Sequence, residues 1–100
     1  MRKIKGFQWD AKKNLANLEK HGIDFDEATE VFYQPHVLRR SDRNKEERWI
    51  AIGEVDNRII TVAFTWRGED VRIISARSAR KNEERTYRSQ AVGRSPEGQD

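Results

Sequence analysis

Arginine is the residue type through which this sequence could do most of its chemistry. Between Arg58 and Arg94 stand nine Lys and Arg against four Asp and Glu, a local +5 in a chain whose total is +3. A guanidinium fork matches two phosphate oxygens with parallel hydrogen bonds and keeps its charge at any physiological pH. Two of these arginines, Arg67 and Arg77, fall at the ends of predicted strands, where they are expected to converge over one edge of a sheet. Trp9, Trp49 and Trp66 add rings on which the bases of single-stranded RNA could stack. The competing reading is a solvated face whose arginines pair with neighbouring glutamates.

Two histidines, His21 and His36, could move a proton near neutral pH, as cleavage of RNA by its own 2′-hydroxyl requires. His21 follows Lys20 at a predicted helix end, which brings a proton donor and a cation to one spot. Its alternative role is to cap that helix. Other chemistries find little support. The 100 residues contain no cysteine, which removes disulfide scaffolds, thiolate zinc sites and cysteine nucleophiles. No His, Asp and Glu cluster has metal-ligand spacing and no glycine-rich phosphate loop exists, so an enzyme here is expected to need neither metal nor cofactor.

These side chains must be held by one small domain. Hydrophobic residues make up 35% and charged residues 37%, so the core has to be thin and closely patterned. No apolar run approaches the ~20 residues of a membrane span. The basic Met1–Gly6 segment lacks the apolar stretch of a signal peptide, and a cytoplasmic location is expected.

Residues 3–8 form a weak first strand. Asp10 suits a helix N-cap, Ala11, Leu15 and Leu18 make one apolar stripe, and Gly22 suits the left-handed C-cap, which predicts a helix over 11–21. Asp24 and Glu27 resemble a capping box opening a second helix with Phe25, Ala28, Val31 and Phe32 on its apolar face, stopped by Pro35. Residues 36–39, 48–54, 58–66 and 71–76 read as strands, with a charged loop at 41–47. Asp56–Asn57 and residues 67–70 supply the hairpin turns. Ser78 is expected to cap a last helix over 79–91, with Tyr87 as an anchor, and residues 92–100 read as a disordered tail. The fold class is α+β: an antiparallel sheet of about four strands, two N-terminal helices and one C-terminal helix, all on one sheet face.

An ordered set of short motifs then narrows the field. It comprises Phe7-x-Trp9-Asp10, Lys13, Asn17, Lys20-His21-Gly22, Phe25-x-Glu27-Ala28 and Val31-Phe32. It continues with Glu46-Glu47-Arg48, Gly53, Thr65-x-Arg67, Arg72 through Arg77, and Glu84-Arg85-x-Tyr87. Over about residues 4–88 this resembles the BrnT toxins of bacterial type II toxin–antitoxin pairs. Two departures, Ala11 in place of a frequent Pro and Gln34 in place of a frequent Asp, fall at structural positions.

The resemblance implies a RelE-like fold over 1–91 and a ribonuclease that cuts RNA and blocks translation. It also implies a BrnA-type antitoxin with a ribbon-helix-helix domain, joined to the toxin as a heterotetramer that reaches operator DNA only through the antitoxin. Within that picture Arg67 and Arg77 are expected to stabilise charge on the attacked phosphate. Lys13 and His21 are candidates for proton transfer or phosphate contact. Glu47 would orient an arginine or act as base, unless it merely pairs with Arg48. Trp9 would stack a base, unless it packs in the core, and Lys20, Arg48, Arg72 and Arg85 would contact RNA. The rival readings are a non-catalytic RNA- or ribosome-binding module and a co-repressor acting through its partner. An acidic second helix argues against direct DNA binding.

Overall fold

The computed structural model describes residues 3–92; the expected tail lies outside them, apart from Val92. Strand β1 (Gly6–Gln8) leads into helix α1 (Ala11–His21), and helix α2 (Phe25–Ala28) runs on as a 3₁₀ turn, Thr29–Tyr33. Strands β2 (His36–Arg40), β3 (Trp49–Val55), β4 (Arg58–Arg67) and β5 (Asp70–Ser78) follow, then helix α3 (Lys81–Tyr87) and a π turn, Arg88–Val92.

Local chemistry accounts for most boundaries. The Asp10 carboxylate accepts from the backbone N–H groups of Lys12 and Lys13, and Gly22 closes α1 at φ 72°. Asp24 caps α2 through the Asp26 N–H. At the β3–β4 hairpin Asp56 and Asn57 take φ of 52° and 64°, the paired left-handed conformations of a two-residue hairpin turn.

Three expectations are corrected. The sheet has five strands in the order β1-β5-β4-β3-β2, and β1 runs parallel to β5 while the other pairs are antiparallel. Hairpin loops dictate antiparallel neighbours only for strands adjacent in sequence, and β1 meets a strand more than sixty residues away. The last helix is shorter than expected. Strand pairing keeps Ser78 in β5, so the helix begins at Lys81 and regular α geometry ends at Tyr87. The helices also occupy both faces of the sheet. The main core lies under α1 and α2, around Phe25, Val31, Val62 and Phe64, whereas Tyr87 of α3 packs with Val37, Ile52 and Ile59 on the opposite face. Strand β4 is apolar on both faces, as a strand covered on both sides must be.

Helix α1 departs most from its pattern. Leu15 and Leu18 are 67% and 42% exposed, and the buried residue of this helix is Asn17. Its side-chain amide donates to the carbonyls of Ile23 and Ala76 and accepts from the Ala76 N–H. β1 has ended by this point, so a side chain takes up the hydrogen bonds that a neighbouring strand would make. Among the described residues no helix is long and apolar enough to cross a membrane.

Candidate nucleic-acid interface

Strand register arranges the α3 face of the sheet into rows. One row runs Val37, Ile52, Thr61, Arg77 and the next Arg39, Ile50, Ala63, Ser75. Continuing the β3–β4 register one step places Arg48 beside Thr65, which pairs with Arg72, which pairs with Gln8. Arg67 and Asp70 form the last row, at the β4–β5 turn. The short α3 covers the first row; in the next, Ala63 and Ser75 are half-buried, and in the third Thr65 is buried, its hydroxyl donating to the Glu47 carbonyl at 2.7 Å.

At the edge of α3 lies a cleft of about 280 Å³, lined by Arg43, Arg48, Ile50, Thr61, Ala63, Ser75, Arg77, Arg80 and Glu83 together with Ser41 and Trp49. Four arginines therefore face one small volume. Arg77 donates to both oxygens of Glu83, at 2.8 and 3.0 Å. Glu83 also accepts from the Thr61 hydroxyl at 3.0 Å and the Arg80 N–H at 2.8 Å. Its side chain is only 7% exposed. The Arg77 guanidinium, above all, holds its carboxyl down at about 2 against the opposing effect of burial, and the Arg80 N–H and Thr61 hydroxyl assist. The same pairing raises the Arg77 pKa. Arg48 pairs with Glu46 at 2.8 Å. Among the described residues Arg43 and Arg80 have no carboxylate partner, so the cleft keeps a positive surplus.

A second depression adjoins it. The register of β4 and β5 slips at Ala63/Phe64, with Ile74 as the extra residue of a β-bulge, a device that re-aims side chains and often borders a site. Between this bulge and α1 lies a groove of about 230 Å³, lined by Lys13, Ala16, Asn17, Lys20, His21, Ile74 and Ser75. Ser75 lines both hollows, so the groove of the α1 cations and the cleft of the arginines adjoin at one residue of β5.

The structure thus brings together Arg48 and Arg77 in the cleft and Lys13, Lys20 and His21 in the groove. It does not bring Arg67 to Arg77. The two share a face, but the register puts them six residues of strand apart on β4, about 20 Å. Arg72 donates to the Gln8 amide oxygen at 3.1 Å. Glu47 pairs with Arg40 at 3.1 Å instead of with Arg48. Trp9 packs edge-on against Phe25, 6.1 Å between ring centres, in support of the main core. Trp49, although it lines the cleft, packs against that same core beneath the Arg40 guanidinium. Arg85 is exposed on α3 and lines neither hollow. His36 sits apart, its Nδ1 2.7 Å from the Gln34 carbonyl.

Sequence reasoning missed Thr61, Ser75, Arg43, Arg80 and Glu83. The outward alternation of β4 could have pointed to Thr61. Nothing local marks the bulge that turns Ser75 into both hollows. Among the described residues no group of three or more His, Asp or Glu side chains could hold a metal ion.

Comparison with known proteins agrees with the motif reading. Residues 9–83 match the model of the family described as ribonuclease toxin, BrnT, of type II toxin–antitoxin systems. Among solved structures the chain is similar to the ribonuclease toxin BrnT of Brucella abortus, determined at 1.1 Å. The two are 33% identical, with a TM-score of 0.60, over 76% of this chain and 97% of that one. Among curated proteins no significant match was found.

Proposed function

The chain belongs to the BrnT family of ribonuclease toxins of type II toxin–antitoxin systems, and on that premise we propose that it cleaves RNA at the junction of the cleft and the groove. The 2′-hydroxyl oxygen attacks the adjacent phosphorus while the bond from phosphorus to the 5′-oxygen breaks. The 2′-hydroxyl proton passes to a base, and the departing 5′-oxygen takes one from an acid. A 2′,3′-cyclic phosphate and a 5′-hydroxyl result, with no metal required.

Charge accumulating on the non-bridging oxygens is met by Arg77 and Arg80, with Arg48 and Arg43 behind them. Donors of this kind, aimed at developing charge, are each worth about 3 kcal/mol. Lys13 and His21, on the α1 side of Ser75, are the proton-transfer candidates, and Lys20 adds a phosphate contact. Glu47 and Trp9 drop out of the reaction centre, the first engaged by Arg40 and the second by the core. The observation that carries this reading is the meeting of two cationic hollows at Ser75.

In the cell the outcome would be inhibited translation in the cytoplasm, relieved by a BrnA-type ribbon-helix-helix antitoxin bound in a heterotetramer that also occupies operator DNA. The test is incubation of purified protein with single-stranded RNA in EDTA. The wild type should yield cyclic-phosphate ends. His21→Asn and Arg80→Gln, both remote from the core, should be slower by about 10²-fold or more. Binding without cleavage would mark a non-catalytic module instead.

A further inference from the structure

The arginines do not stop at the cleft. Beyond the Ser75 row, the same face carries the half-buried Arg48 and Arg72 on either side of the buried Thr65, and beyond these the exposed Arg67. Successive rows on one face are separated by two residues of strand, about 7 Å. Counted from Arg77, the cations of β4 and β5 therefore lie two rows on at Arg72 and one row further at Arg67, toward the hairpin turn. Between Arg77 and this stretch the floor of the cleft is low, since Ala63 and Ser75, which line it, carry small side chains.

Arg48 is paired with Glu46, but the partners of the other two leave their charge available. Arg72 is held by a neutral amide, Gln8. Arg67 is exposed and has no ion pair among the described residues. The acid in these rows, Asp70, accepts from the Gln8 side-chain amide at 3.1 Å. The tryptophans offer no platform here, because Trp9, Trp49 and Trp66 pack against the main core.

We propose that Arg72 and Arg67 form a track for the sugar–phosphate backbone of single-stranded RNA, extending from the cleft toward the β4–β5 turn and gripping phosphates further along the strand from the one that is cleaved. This rests on the ribonuclease reading above and separates two roles that sequence spacing merged. Arg77 acts at the reacting phosphate, while Arg67, about 20 Å along the sheet, holds a more distant phosphate of the same strand. A track of this kind binds by charge, with little dependence on base identity.

Salt dependence tests it directly. Binding of a fully 2′-O-methylated oligonucleotide, which offers no 2′-hydroxyl to attack, is measured from low to moderate salt for the wild type, Arg72→Gln, Arg67→Gln and the exposed Lys12→Gln as control. Each arginine change should reduce the slope of log K against log salt by about 0.7, the loss of one phosphate contact on a single strand. Lys12→Gln should leave it unaltered. Arg72→Lys and Arg67→Lys should restore the slope. With cleavable RNA the two Gln variants should raise KM several-fold with a much smaller change in kcat, whereas Arg77→Lys lowers kcat.

Slopes equal to that of the wild type would overturn the track. So would variants that bind RNA normally yet lose affinity for the antitoxin, since the face would then be a protein interface. If Arg72→Gln perturbs folding, Arg67→Gln at its exposed turn decides alone. A wild type that binds with the expected slope but leaves RNA intact defeats the ribonuclease reading and spares the track.

Discussion

Arg77 on β5 and Glu83 on α3 meet in a two-point ion pair, Nη1 to Oε1 at 2.8 Å and Nη2 to Oε2 at 3.0 Å. The same carboxylate accepts from the Arg80 N–H and the Thr61 hydroxyl. One acidic side chain therefore orients an arginine of the cleft, satisfies the first turn of α3 and ties that helix to the middle of the sheet. A bidentate contact fixes the plane of the guanidinium as well as its position.

That arrangement makes stability depend on acid. Glu83 is held at about 2 against an ordinary 4.5. Its contribution is complete above pH 4.5 and disappears as pH falls through 2. The shift corresponds to at most about 3 kcal/mol, the upper bound for a pair partly open to solvent. Urea unfolding from pH 6 to 2 should show this loss in the wild type. Glu83→Gln should be less stable at pH 6 and lack this component of the pH dependence.

Removal of Asn17 should loosen the site as well as the fold. Asn17→Ala strands the buried N–H and carbonyl of Ala76 and the carbonyl of Ile23, at a cost of about 2–4 kcal/mol. Because Ala76 follows Ser75, RNA cleavage should fall in the folded fraction too. Denaturant midpoints together with cleavage rates at saturating RNA would check both effects.

Gly53 is a packing glycine. A Cβ there would lie 2.5 Å from Val31 Cγ2 and 3.2 Å from His36 Cβ, because the 3₁₀ turn after α2 presses on β3. Gly53→Ala should destabilise by about 1–3 kcal/mol, seen as a lower thermal midpoint, with no direct effect on the arginine face.

Leu15 and Leu18 should tolerate polar replacement in the isolated protein. At 67% and 42% exposure, Leu15→Gln and Leu18→Gln should change unfolding free energy by no more than about 0.5 kcal/mol each. A core stripe would instead lose about 2–5 kcal/mol on such truncation, so denaturation measurements distinguish the two situations sharply.

Sequence alone determined the features whose physics is local. Asp10, Gly22 and Asp24 mark helix ends because capping bonds span two to four residues, and Asp56–Asn57 marks a hairpin because the turn demands left-handed backbone. The alternation of β4 displays two apolar faces, and the ordered motifs lead to the family. Tertiary structure alone decided which contacts those elements make. It chose Asn17 over Leu15 and Leu18 as the anchor of α1, through bonds to a residue 59 positions away. It set β1 parallel to β5, sent α3 to the opposite face and turned Ser75 into two hollows through a bulge. It also parted Arg67 from Arg77, which strand-end positions had suggested would converge. In each case the deciding energy is a pairing or packing contact between distant segments, and no window of neighbouring residues contains it.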